Sequence, residues 1–559
     1  MSQTTSPSRS EAPSLVPVLG ERVAIGPLQF ALALWFGLFF LYFNYIPIFH
    51  SDIWGHVAYG QWILEHRSLP AEDPFVRLAE GVPITDTAWL GQVIFAAAQQ
   101  AAGPESISHI FAVTVLAAYL VLARVFYLQT GRVGVATFGA ILVWLVAWSR
   151  HAIVRPEIFG SLCFAALFWL VVRTDEKRAR RTAEQVTAAT RRPWVLWIGV
   201  PLLFAAWANL HGSFVVGYIV LGSYLLGRSL EVAWTTGSLF AVLADREFRR
   251  WLIAGELAVA GTLLNPYGID LILHTFLFPG NPNLDDVLEW FPLEMVSYEG
   301  IEIGVSWILM LVLLRHSRAR MRPADVVLLA LMTLSTCIHV RMVTWYAAAL
   351  IVVLVPHLAD VALQMRESRW GRRLSRLGGS WTARSYRYTL FAGLAAWCCF
   401  AFSPISAGVL GGSPRALDRV YGRDTPRDVT EYLRAHPPVG QIANPQWWGD
   451  WLAWDGPPGL EVFMTTNAVH AAPRRVWRDY LVLARGDEGF ERRLDRYRVN
   501  TIVVHKELQQ RLTTRVRRLS GWKIVYEDDL AIIATRGNAI NNNEKAGAEQ
   551  SRRNDDGFH

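Results

Sequence analysis

The segment His50-Ser51-Asp52-Ile53-Trp54-Gly55-His56 follows directly on an apolar run from Leu28 to Phe49. An α-helix that crosses a bilayer needs roughly 20 mostly apolar residues. The run is long enough, so the segment marks where a first membrane helix emerges. If the emerging chain stays helical, Asp52 and His56 are four apart and share one face. A second acidic position follows in Thr85-Asp86-Thr87-Ala88-Trp89-Leu90. A carboxylate and an imidazole rooted at the bilayer surface are the first candidates for chemistry.

The rest of the composition agrees with a membrane setting. Of 559 residues, 52% are hydrophobic and 24 are Trp. Mean hydropathy is positive. That profile predicts a multispanning membrane protein and excludes an ordinary soluble enzyme. The net charge of +7 reads as orientation, not as nucleic-acid binding, because the arginines gather in alternate loops. Cys163, Cys337, Cys398 and Cys399 all lie in apolar runs without a CxxC spacing, which predicts packing roles. No cleavable signal is expected: the first apolar run is too long for a signal core and lacks a small-residue cleavage site.

About eleven spans are expected, at 28–49, 107–128, 133–149, 157–173, 194–209, 213–230, 251–264, 301–315, 323–338, 343–363 and 387–403. Basic clusters lie at 173–192, 246–250, 315–322 and 366–387. All fall on one side if the N-terminus is cytoplasmic. The other side then holds the large 50–106 loop, the acidic 281–299 loop and everything after Ser403. Glu231 to Ala244 reads as a cytoplasmic surface helix, since another span there would break the charge alternation. The expected layout is a disordered N-terminus (1–20), a membrane domain (21–411), an extracytoplasmic α/β domain (415–536) and a disordered tail (537–559).

The α/β expectation rests on alternation. Short β-like runs occur at Val439–Ala443, Val462–Thr465, Thr501–Val504, Lys523–Tyr526 and Ala531–Thr535, separated by helical stretches at 474–484, 487–497 and 507–518. Thr425-Pro426 reads as a helix start, with Thr as N-cap.

Polar and ionisable residues gather at the outer ends of the spans, not in their middles. They include Arg155-Pro156-Glu157, Asn209-Leu210-His211-Gly212, Asn265-Pro266-Tyr267-Gly268, Glu289-Trp290 and His339-Val340-Arg341. Ionisable groups near hydrocarbon are costly and usually functional or paired. Convergence at one depth suits a membrane-anchored substrate with a charged head. Asp52 and Asp86 are the candidate catalytic carboxylates; Asp52 has the bland alternative of pairing with an arginine. His56, Arg155, His211 and Arg341 are the candidate substrate-binding groups, the arginines for phosphate. Asp52 and His56 alone are a weak metal signal, so no metal or other cofactor is expected. Trp447 and Trp448 either anchor the outer domain at the membrane surface or belong to its core.

The ordered set of Asp52, Trp54, His56, Asp86 to Trp89, Arg155-Pro156-Glu157, Asn209 to Gly212, Asn265 to Gly268, Glu289-Trp290 and Trp448-Gly449-Asp450-Trp451-Leu452 resembles a family of bacterial polytopic membrane proteins. By architecture that family is similar to the GT-C glycosyltransferases. The resemblance implies an α-helical polytopic membrane fold of GT-C type with a C-terminal soluble α/β domain, in the inner membrane of the cell envelope. It implies inverting transfer of a sugar from a polyprenyl phosphate to a lipid, glycan or protein acceptor, with Asp52 as base. Residue 53 is Ile, so the paired acid of the protein mannosyltransferases is absent here, as is an Asp-x-Asp in this loop. Two rivals stand beside this reading. A transporter or flippase calls for charges near midspan. A non-catalytic assembly protein calls for Asp52 and the arginines to point away from any common cavity.

Overall fold

The computed structural model describes residues 23–49, 52–174, 194–367 and 384–537. The expected terminal disorder, His50, Ser51 and much of two basic clusters lie outside the described residues.

Each expected span coincides with a helix. The order is α1 (Pro27–Tyr45), the loop helices α2 (Asp52–His66) and α3 (Trp89–Ala102), then α4 (Glu105–Thr130), α5 (Val133–Val146), α6 (Glu157–Thr174), α7 (Trp194–Leu210) and α8 (Phe214–Thr236). After them come α9 (Phe240–Ala244), α10 (Arg246–Thr262), α11 (Ile269–Leu277), α12 (Tyr298–His316), α13 (Pro323–Ile338), α14 (Val343–Glu367), α15 (Tyr386–Ala401) and α16 (Pro404–Leu410). Among the described residues, five helices are long and apolar enough to cross a membrane: α1, α4, α6, α8 and α14, the last counted with the 3-10 turn before it. The bent pair α15 and α16 makes a sixth if it is one span. Helices α5, α7 and α13 are apolar but shorter. The chain is therefore a multi-pass membrane protein in which fewer helices meet the length test than the eleven apolar runs suggest.

Two local expectations need correction. Glu231 to Thr236 continues α8, and only Phe240–Ala244 forms a separate short helix after the left-handed Gly237. The first apolar run also leaves the helix at Tyr45. Ile48 then exchanges backbone hydrogen bonds with Val420 and Gly422, tying the exit of α1 to the C-terminal region.

That region carries α17 (Arg427–Ala435), β1 (Gln441–Ala443), α18 (Gln446–Asp455), β2 (Glu461–Val462), α19 (Arg474–Arg485), α20 (Phe490–Arg496), β3 (Thr501–His505), α21 (Gln510–Val516), β4 (Trp522–Glu527) and β5 (Ala531–Arg536). The sheet order is β2-β1-β3-β5-β4. The β1 strand is parallel to β2 and β3, while β5 is antiparallel to β3 and β4. The central β3 is buried along its whole length and is apolar in the middle, as a strand covered on both faces requires. Thr425 is not the side-chain cap of α17: Pro426 holds that position with no capping hydrogen bond, and Thr425 contributes only its carbonyl, to Arg427 N.

The loop helices α2 and α3 clamp the two parts together. Gly60 of α2 lies against the Gln92 carbonyl of α3 so closely that a Cβ would collide with it. On its other side, α2 packs on α18. Trp54 stacks on Trp454 at 4.3 Å and meets Trp451 at 5.2 Å and Tyr421 at 5.4 Å, edge to face. Burying an indole of roughly 150–250 Å² at about 25 cal/mol per Å² contributes on the order of 4–6 kcal/mol before entropy is charged against it. Trp448 is buried too, donating to the Asp424 carbonyl at 2.8 Å, so it belongs to the core. A second contact joins the 281–286 turn to the C-terminal region. Asn283 Nδ2 donates to the Val469 and Ala472 carbonyls, and Asn281 Nδ2 to that of His470, all at 2.8 Å.

Candidate functional site

Between the loop helices, the ends of α6 to α8, the 278–290 turns and residues 466–470 lies a cavity of about 470 Å³. Asp52, His56, Asp86, Arg155, His211 and Arg341 all line it. The fold brings these six side chains to one cavity, although they come from five separate stretches of chain.

Asp52 opens α2, where the helix dipole favours negative charge. Its side chain is buried and ion-paired with Arg155 Nε. Arg155 precedes Pro156, which disfavours helical backbone at Arg155, and α6 starts directly after. Its second arm, Nη1, bonds Glu289 Oε2 at 2.6 Å, and Glu289 Oε1 accepts from Arg150 Nη2 at 2.9 Å. Burial opposes ionisation of Glu289, but the guanidiniums of Arg155, Arg150 and Arg341 hold its carboxyl far below the usual range. The bland reading of Asp52 is therefore present in the structure: it has an arginine partner, and that partner is itself a site candidate.

Asp86 is built differently. Its Oδ1 accepts from Ala88 N and Gln92 Nε2, both at 3.0 Å. Its Oδ2 is buried with no hydrogen-bond partner among the described residues. Burial raises its pKa to about 6, only partly offset by those two hydrogen bonds. The loop is fixed by the Asp86 N–H donating to Tyr267 Oη at 3.1 Å. Tyr267 is set there by the Asn265–Gly268 turn, in which Gly268 takes a φ of 56°.

Both candidate histidines are neutral at pH 7. Burial lowers His56 to about 4, with Asp52 opposing and Arg155 reinforcing the shift. Burial, aided by Arg341, His56 and Arg155, lowers His211 to about 3. Ser213 N donates to His211 Nδ1 at 3.1 Å, which leaves the proton on Nε2. Gln92 Nε2 lies 3.3 Å from His56 Nδ1 and so links His56 to Asp86.

Arg341 is the less committed of the two guanidiniums. Its nearest carboxylate oxygen, on Glu157, is 3.7 Å away, and its guanidinium lies 4.6 Å from the centre of the Trp290 ring. Among the described residues, no three His, Cys, Asp or Glu side chains gather as a metal-ligand set.

Sequence reading missed four contributors. Gln92 and Tyr267 position Asp86, and Glu289 positions Arg155. Asp450 of α18 is completely buried beneath Gly55, where burial, reinforced by the nearby Asp52 charge, raises its pKa to about 8. Tyr267, Glu289 and Asp450 stood in quoted motifs, but Tyr267 meets Asp86 across 181 residues and Glu289 meets Arg155 across 134. Gln92 gives no local signal at all.

No family model matches the chain, and no curated protein matches it. Solved structures do. The archaeal oligosaccharyltransferase AglB from Archaeoglobus fulgidus, in complex with an inhibitory peptide and a dolichol-phosphate, superposes with a TM-score of 0.54 at 12% identity, covering 86% of this chain and 69% of that one. The apo form of the A. fulgidus oligosaccharyltransferase gives 0.51 at 12% identity over the same shares. ArnT from Cupriavidus metallidurans bound to undecaprenyl phosphate gives 0.47 at 12% identity, covering 90% of this chain and 96% of that one. At such identities the likeness shows a shared fold alone, and the two oligosaccharyltransferase structures carry it.

Proposed function

We propose that the protein transfers a sugar from a polyprenyl-phosphate donor to an acceptor hydroxyl at the extracytoplasmic face of the plasma membrane. The observation that carries this reading is the single cavity, in a GT-C fold, that collects two carboxylates, two guanidiniums and two neutral imidazoles. The dolichol-phosphate and peptide held by AglB support a lipid-phosphate donor and a separate acceptor here. The common cavity counts against an assembly protein whose charged residues point apart.

In the proposed reaction the acceptor oxygen bonds to the anomeric carbon from the face opposite the phosphate. The bond from that carbon to the phosphate oxygen breaks, its electron pair leaves with the polyprenyl phosphate, and the acceptor proton passes to Asp52. Arg341 holds the phosphate, with its fork matched to two oxygens. His211 Nε2–H donates to a third. As the leaving oxygen gains charge it draws Arg155 toward it, which loosens the Asp52 pair and raises the basicity of Asp52 as the proton must move. Preorganised donors of this kind usually supply the largest share of rate enhancement.

One observation favours a second assignment of the base. Asp86 has a free buried oxygen and a pKa of about 6, close to the value that suits a base at neutral pH. In that version Asp52 only orients Arg155. The test is a transfer assay in lipid nanodiscs with synthetic polyprenyl-phosphate sugars and a cell-envelope lipid extract as acceptor. Release of polyprenyl phosphate that requires the extract supports transfer. No release from any donor, with protein shown to be folded, contradicts it.

A further inference from the structure

The cavity has a second wall, made of rings. His274, Phe278, Trp290, His339 and His470 all line it. They form a connected ladder: His274 to Phe278 at 5.6 Å between ring centres, Phe278 to Trp290 at 5.4 Å, Trp290 to His339 at 5.1 Å, and Phe278 to His470 at 5.3 Å. Four rungs belong to the membrane domain. The fifth, His470, comes from the C-terminal region and is held by the hydrogen bond from Asn281 to its carbonyl.

This mixture of groups selects its ligand. Faces of phenyl and indole rings carry partial negative charge. They attract C–H bonds made slightly positive by neighbouring oxygens, which is what the apolar face of a pyranose presents. Ring nitrogens between those faces are placed to meet hydroxyls. His274 Nε2 is buried with no partner among the described residues, and burial keeps His470 neutral, with a pKa of about 4. A prenyl chain on this wall would leave the His274 nitrogen unsatisfied, which is unfavourable. A sugar hydroxyl would satisfy it. The ladder also begins in the right place. Trp290 lies under the Arg341 guanidinium, and a sugar ester-linked to a phosphate on Arg341 has its ring directly beside that phosphate.

We propose that the ladder from Trp290 through Phe278 to His274 and His470 is the seat of the donor's sugar ring, a site shared between the membrane domain and the C-terminal region. This rests on the reading of the cavity as a polyprenyl-phosphate-sugar site.

The test measures binding of two probes to the full-length protein in nanodiscs. One is farnesyl phosphate. The other is a panel of farnesyl phosphates carrying glucose, mannose, galactose or N-acetylglucosamine. In the parent protein at least one sugar is expected to tighten binding tenfold or more over farnesyl phosphate. Phe278→Leu keeps apolar bulk but removes the ring face, and His470→Leu alters the opposite end of the ladder. Each should erase most of that increment and leave farnesyl phosphate binding within about twofold, at matched melting temperature. Should one variant fail to fold, the other carries the test from a different part of the chain. Equal loss for both probes would overturn the proposal and make the wall a prenyl seat. No loss for either, or no gain from any sugar in the parent, would also overturn it while the phosphate site stands. If neither probe binds the parent protein, the functional reading falls and the sugar seat with it.

Discussion

Asp52 and Arg155 form a buried ion pair that joins the start of the loop helix α2 to the turn before α6. The pair extends through Arg155 to Glu289 and Arg150. Two carboxylates thus share one guanidinium, which uses different nitrogens for each.

Lysine at position 155 keeps the charge but cannot span both carboxylates. Arg155→Lys is expected to lower both activity and melting temperature, because removing one arm leaves a buried carboxylate short of a partner, at several kcal/mol. Arg341→Lys should behave otherwise. Its only ion pair among the described residues is 3.7 Å long, so melting should barely move while donor affinity falls about tenfold or more. Parallel thermal unfolding and donor titrations check this. Equal behaviour of the two variants would contradict the division of labour.

The Asp86 carboxyl titrates at about 6. If its ionised form is the working one, transfer should be low below pH 6 and reach a plateau above it. Gln92 donates to Asp86 Oδ1 and so favours the charged form. Gln92→Leu is expected to move the inflection to higher pH. A shift downward, or no inflection near pH 6 in the parent protein, would count against a role for ionised Asp86.

Gly55 and Asp450 fix how α2 sits on α18. A Cβ on residue 55 would collide with Asp450 Oδ1 and approach Asn467 Nδ2, so Gly55→Ala should destabilise by about 1–3 kcal/mol. Asp450 is protonated when folded up to about pH 8, whereas the unfolded carboxyl ionises near 4. Between those values the folded state holds the extra proton, so this group's contribution to stability falls as pH rises. Asp450→Asn removes the titration. Its melting temperature relative to the parent should climb from pH 5 to pH 8. A difference independent of pH would refute the assignment.

Orientation is expected to follow the arginine-rich loops, with the N-terminus cytoplasmic. A reporter active only outside the cytoplasm, fused after Gly412, should therefore be active. Activity of a cytoplasm-dependent reporter at that point would reverse the topology.

Much of the fold was legible because hydrophobic runs and β-like runs are local signals. Each of the eleven runs and each of the five strands has its counterpart. What failed was also local in cause. Glu231 to Ala244 read as one separate surface helix, yet α8 runs on through Thr236 and only Phe240–Ala244 stands apart, with Arg228 anchored to Asp245 at 2.7 Å and to Glu231 at 2.8 Å. The six candidate residues that line the cavity stood out because charged groups beside apolar runs are conspicuous. Their partnerships were not: nothing near Asp52 in sequence announces Arg155, and nothing near Asp86 announces Tyr267. Such pairs exist only after the helices have packed.

The central claim is that Asp52 accepts the acceptor's proton. Asp52→Asn preserves size and most hydrogen bonding but cannot take a proton. Losing a general base costs about 100- to 10,000-fold in rate. The measurement is polyprenyl phosphate release by parent and Asp52→Asn proteins in nanodiscs, normalised to the folded fraction from thermal unfolding. The account predicts a loss in that range for correctly folded Asp52→Asn protein, larger than any loss in binding. Transfer at the parent rate by folded Asp52→Asn protein would contradict it and leave Asp52 as no more than the partner of Arg155.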